Sequence, residues 1–162
     1  MGYSISVTKD GEVCYAGESL PYEGSNVCIG GTDRMSITVT YNYRGLLREA
    51  LGGDGVWDLD GCNVRCTVQK LKDAIGKLSG MDDAPWIEKK RMKLEESISR
   101  LTDESLGSPE EWSDSLAKSY MRDLEHVRES YWTEKPSNVR KALEGILWMA
   151  EKAPDGSMWS VN

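Results

Sequence analysis

Histidine is almost absent from this chain: His126, between Glu125 and Val127 in a charged stretch, is the single example among 162 residues. It gives little from which to build a histidine-based catalytic or metal site. No G-x-S-x-G elbow is present to expose a nucleophile. The glycine-rich stretches GGTD (30–33) and LGGDG (51–55) open no helix with a following Lys-Ser or Lys-Thr, which excludes a phosphate-binding P-loop. DGVWDLDG, with Asp54, Asp58 and Asp60, has some of the look of a calcium loop, but its spacing is wrong and the terminal glutamate is missing. No apolar run approaches the roughly 18 residues that a membrane span requires. The start, MGYSISVTKDG, lacks the basic then apolar order of a secretory signal. A cytosolic protein is expected.

In that compartment the four cysteines, Cys14, Cys28, Cys62 and Cys66, are expected as reduced thiols. Cys62 and Cys66 have a C-x3-C spacing without the second pair or histidine cluster of a zinc site. Neither a metal nor a cofactor is expected.

Acid outweighs base: 27 Asp plus Glu stand against 20 Lys plus Arg, a net charge of −7. Such a surface repels a phosphate backbone at long range, so direct nucleic-acid binding is not expected. It suits a basic protein partner, and it equally serves plain solubility. At this length the chain is expected to form a single domain over 1–162 with a substantial core.

What is present is a β-rich first quarter followed by helices. Tyr3, Ile5 and Val7 alternate with Ser4, Ser6 and Thr8, the period of a half-buried strand. Asp10-Gly11 then marks a tight hairpin, with VCYA returning. LPYEGSN is a loop, and NVCIGG and MSITVTYNY are two further expected strands. In the last, Ile37, Val39, Tyr41 and Tyr43 are expected on one face, and Thr38, Thr40 and Asn42 on the other.

Helical spacing begins at Arg44. RGLLREAL stops at Gly52-Gly53, and Val64, Val68, Leu71, Ile75 and Leu78 mark a second, amphipathic helix. Asp83 and Pro85 open a third. Ser108, Pro109 and Glu111 give the start signal of a fourth, with Trp112, Leu116, Tyr120, Leu124 and Tyr131 down one side. A last helix from about Pro136 carries Val139, Ala142, Leu143, Ile146 and Ala150, and SMWSVN ends as a strand or irregularly. Strands followed by helices make an α+β fold, an N-terminal antiparallel sheet packed against C-terminal helices. Residues 80–130, rich in Lys, Glu and Arg, read as an inserted helical hairpin.

Thr40-Tyr41-Asn42-Tyr43, then Tyr131-Trp132, Asn138, Ala142-Leu143, Leu147, Met149-Ala150, Pro154, Gly156 and Trp159, resemble a family of small phage- and prophage-encoded proteins. That family has a strand near N-I-T-Y-N-Y and a segment Y-W-x-P-T-x-G-N-A-x-x-A-L leading to L-L-x-M-A and P-x-G-x-W. The likeness spans residues 35–79 and 131–159. Glu134-Lys135 replace its Pro-Thr, Ser137 replaces its Gly, and the 80–130 hairpin replaces a short acidic link. The resemblance implies a phage or prophage setting within a bacterial host's cytoplasm, and no reaction.

Two sets of residues are candidates for function. A strand end that feeds a helix offers free N–H groups. Tyr41 and Tyr43 could stack on a ring, Asn42 pair with a base edge, and Arg44 hold a phosphate. The same tyrosines could instead be core, with Asn42 tying down the turn. Trp132 and Lys141 could line the same cleft; Asn138, Lys141, Gly145 and Trp148 form a second face of the last helix, a candidate ligand or partner surface. That face could equally be covered by the hairpin. The hairpin carries Trp86, Ile87, Met92, Trp112 and Met121, more apolar matter than a spacer needs. The expectation is a non-catalytic counter-defence binder that sequesters a nucleotide-derived immune signal. The alternative is an acidic inhibitor, of the anti-CRISPR kind, that blocks a bacterial defence protein through the hairpin. Strand edges leave room for a homodimer.

Overall fold

The alternation of Tyr3, Ile5 and Val7 produces the strand around which the sheet is built. The computed structural model describes residues 2–19, 33–101, 114–130 and 133–162. Strand β1 (Gly2–Lys9) pairs antiparallel with β2 (Glu12–Val13), β3 (Ser36–Thr40) and β4 (Met158–Val161). Asp10 and Gly11 both take positive φ, 54° and 84°, the mirror-image turn whose twist matches its flanking strands. It sets Thr8 opposite Val13 and Lys9 opposite Glu12. Tyr3 lies opposite Val39 and Ile5 opposite Ile37, while Val7 faces Trp159 on the other side. The C-terminal segment is thus a strand. The expected strand NVCIGG lies outside the described residues, as does the helix start at 108–111.

Five α-helices are described: α1 (Arg44–Leu51), α2 (Val68–Ser79), α3 (Ala84–Leu101), α4 (Asp114–Glu129) and α5 (Pro136–Lys152). Helices α2 and α5 pack along one another, and with α1 they cover the sheet. Ile5, Val7, Ile37 and Val39 from the sheet meet Leu46, Leu47, Leu71, Leu143 and Ile146 in one core. Trp159 from β4 is buried among them, and its indole N–H donates to Thr67 Oγ1 at 2.9 Å. This is the α+β arrangement, with α3 and α4 as a helical hairpin. They pack on each other, burying Tyr120 and Leu124 apart from the main core. Among the described residues, no helix is long and apolar enough to cross a membrane.

One expectation about the third strand is corrected. The alternation was expected to run through Tyr43, but β3 ends at Thr40 and Tyr41–Tyr43 form a 3-10 turn leading into α1. The Thr40 hydroxyl accepts the Asn42 backbone N–H at 3.3 Å and caps that turn. A 3-10 turn advances roughly 120° per residue rather than 180°. Tyr41 and Tyr43 therefore part company, and Tyr43 is buried while Tyr41 is exposed.

Candidate functional site

The turn that buries Tyr43 sends Tyr41 to the surface beside Tyr3. Their ring centroids are 4.5 Å apart with planes at 89°, an edge-to-face contact. A second ring, Trp57, meets Tyr3 in the same manner at 5.7 Å and 85°. Tyr3, Tyr41, Trp57 and Arg44 line a cavity of about 480 Å³. Tyr3 is its floor, only 3% exposed, and Tyr41 and Trp57 are its walls at 43% and 42%. Large aromatics half in water, both standing on a buried third, present stacking surface without help from the core. Arg44, the first residue of α1, lines the cavity and forms no ion pair among the described residues.

Trp57 is held by local turn chemistry. Gly55 takes φ 73°, and a Cβ there would stand 3.3 Å from the Arg48 backbone nitrogen. The 3-10 turn Gly55–Leu59 then buries Val56 and Leu59 on one side and leaves Trp57 on the other. The acidic residues of this stretch serve the turn: Asp58 accepts the Asp54 backbone N–H at 3.1 Å, and Asp54 pairs with Arg48. Asp60 accepts the Val161 N–H at 2.9 Å, fastening the turn to β4. No cluster of three metal-ligating side chains occurs among the described residues.

The N-terminus of α1 already has an anion. Glu134 Oε1 accepts the Leu46 backbone N–H at 2.9 Å. The carboxylate comes from the corner preceding α5 and takes the place that a phosphate would otherwise fill. That corner ties several elements together. Asn138 Nδ2 donates to the Ser130 and Thr133 carbonyls at 3.0 and 2.9 Å. Thr133 Oγ1 donates to Val127 O, and Lys135 Nζ to Arg128 O, satisfying the last carbonyls of α4. Asp83, at the root of the hairpin, accepts the Ser137 N–H at 2.9 Å and its hydroxyl at 2.5 Å.

The candidate ligand residues thus divide. Tyr41 and Arg44 line the cleft, Tyr43 is core, and Asn42 is exposed with its N–H on Thr40. Asn138 binds the corner. Lys141 is exposed on α5, and Trp148 is half-buried against the core with Lys152 Nζ 5.9 Å from its ring centroid. Gly145 is buried. Trp132 and Trp112 lie outside the described residues. In the hairpin, Trp86 and Ile87 are half-buried, with Trp86 packed on the core, whereas Met92 and Met121 are 60% and 59% exposed.

Sequence reasoning missed Tyr3 and Trp57. The signal for Trp57 was a tryptophan among Asp and Gly, with no apolar periodicity to bury it. Tyr3 carried no signal, since its alternation with the serines marks core. No family model, curated protein or solved structure matches the chain.

Proposed function

We propose that this protein is a non-catalytic binder of a nucleotide-like small molecule, held by stacking on Tyr41 and Trp57 with its phosphate on Arg44. The observation that carries the reading is the pair of exposed rings standing edge-on to the same buried Tyr3, with a guanidinium on the cavity they share that forms no ion pair among the described residues. A cavity of about 480 Å³ is within the size of small-molecule sites. The guanidinium favours a planar anion over a cation, which would otherwise suit a cage of aromatics. In the phage or prophage setting that the resemblance implies, the binder acts in the cytoplasm of a bacterial host as a sink for a nucleotide-derived immune signal.

Native mass spectrometry tests this, with the protein purified from cells whose nucleotide-signalling defence is active. An adduct lost on denaturation, and missing from Trp57→Ala, is expected. Protein that is empty, and that stays empty when mixed with millimolar nucleotides, sinks the reading.

A second reading has its own support. Lys135 and Ser137, where the chain departs from the family it resembles, hold Asp83 at the hairpin's root, with Lys135 Nζ 3.8 Å from its carboxylate. Met92 and Met121 are exposed on the two hairpin helices. An inhibitor would use these methionines to engage a defence protein, and Met92→Asp with Met121→Asp would abolish capture while leaving nucleotide binding intact.

A further inference from the structure

The cleft offers a ligand one positive charge. Among the described residues that line it, Arg44 is the one cation. The neighbouring guanidinium, Arg48, is committed to Asp54. The α1 N-terminus beside Arg44 is filled by Glu134, whose oxygen would lie 2.6 Å from a Cβ at Gly45. Asp58 follows Trp57 directly, and the whole chain carries a charge of −7. Aromatic surface is generous while positive potential is scarce.

From this imbalance we infer that the ligand is a nucleoside phosphodiester, carrying a single negative charge on its phosphate, and not a nucleoside mono- or triphosphate. The inference rests on the nucleotide-binding reading above and narrows its chemistry. A terminal phosphate monoester carries about −1.5 to −2 at pH 7, and a triphosphate more. Charge beyond the first finds no further cation among the described residues that line the cleft, and the Glu134 carboxylate occupies the adjoining helix end. A diester keeps the planar base and one anionic oxygen pair, which a guanidinium matches in bidentate fashion. Purines, with the larger ring, gain more from the two walls than pyrimidines.

The singly charged phosphodiester could belong to a cyclic mononucleotide or a linear dinucleotide, and calorimetry on the full chain separates these. The probes are adenosine 3′,5′-cyclic monophosphate and the linear dinucleotide ApA, each with one charge, against AMP, the doubly charged cyclic di-AMP and ATP, at low salt without magnesium. At least one singly charged diester is expected to bind about tenfold or more tightly than ATP, with AMP between them. The tighter of the two singly charged diesters identifies the source, and cyclic di-AMP binding more tightly than both overturns the inference. Arg44→Gln, an exposed change whose folding is checked by circular dichroism, is expected to weaken the diester and lose the selectivity. ATP binding as tightly as every diester overturns the inference and leaves the nucleotide-binding reading standing. No binding of any probe overturns both.

Discussion

Glu134 caps helix α1 from a distance of 88 residues in the chain, accepting the Leu46 backbone N–H at 2.9 Å. Tyr43, at the N-cap position of that helix, does not cap it with its side chain. The remote carboxylate does what a local Ser or Asp does elsewhere, and its charge complements the helix dipole. Glu134→Ala is expected to cost about 1 kcal/mol in urea unfolding. Gly45→Ala pushes a Cβ to 2.6 Å from the Glu134 oxygen, so helix propensity gained is offset by a displaced cap. In the Glu134→Ala background the same change is expected to stabilise by about 0.5–1 kcal/mol. Equal effects of Gly45→Ala in the two backgrounds would show that the cap contributes nothing.

Asp83 stands to α5 as Glu134 stands to α1. It accepts two hydrogen bonds from Ser137 in the first turn, at 2.9 and 2.5 Å. Asp83→Ala is expected to cost about 1–3 kcal/mol. Hydrogen exchange should speed up in the first turns of both α3 and α5, and faster exchange in α3 alone would show that the two are not coupled. Asp83→Asn retains an acceptor for the Ser137 N–H and should cost less.

The buried Trp159 indole relies on Thr67, whose hydroxyl accepts its N–H at 2.9 Å and donates to Val64 O at 2.7 Å. Thr67→Val keeps the shape and orphans the indole N–H. A loss of about 1–3 kcal/mol is expected on thermal unfolding. Thr67→Ser, which restores the hydroxyl, should recover most of it.

The hairpin has an alkaline limit. Tyr120 of α4 donates to Glu95 Oε1 of α3 at 2.8 Å. Burial, then that hydrogen bond to a carboxylate, raise the phenol above its ordinary value of 10.0. A raised folded value means that the native state holds its proton longer than the unfolded state. The contribution is complete below pH 10 and is lost as pH climbs through the folded value. Stability should fall more steeply above pH 10 in the parent than in Tyr120→Phe, followed by ellipticity against pH. Parallel curves would count against the link.

Binding and stability should come apart at the cleft walls. Tyr41 and Trp57 are 43% and 42% exposed, so Tyr41→Ala and Trp57→Ala lose one edge-to-face contact each, about 0.5–1.5 kcal/mol. Either change is expected to weaken ligand binding by tenfold or more. Lys141→Glu, on an exposed face of α5, should leave binding unchanged, and weakened binding would show that this face meets the ligand.

Much of the fold was legible in the chain because short-range rules govern it. RGLLREAL is α1 residue for residue, and Pro136 starts α5 where its fixed φ suits the first helical position. Asp10-Gly11 makes its hairpin because Asp-Gly is one of the few pairs that take two positive φ values readily. The two hairpin helices followed from spacing and charge, though the start signal at 108–111 lies outside the described residues.

The site was legible only in part. Tyr41 and Arg44 drew attention through their chemistry at a strand–helix junction, yet alternation placed Tyr41 and Tyr43 together. Side-chain direction at such a junction depends on where the strand stops, and the Thr40 hydroxyl stops it one residue before Tyr41. No periodicity records that.

The sequence by itself determined the first strand with its hairpin turn and the helices α1 and α5, since backbone preference and apolar period act over a few neighbours. Tertiary structure alone decided that Tyr3, Tyr41 and Trp57 meet, because their contacts join a strand to two turns distant in sequence. It also decided that the N-terminus of α1 is closed by Glu134, leaving Arg44 as the cleft's cation. A helix end requires a partner for its N–H groups, but which part of the chain supplies it depends on packing.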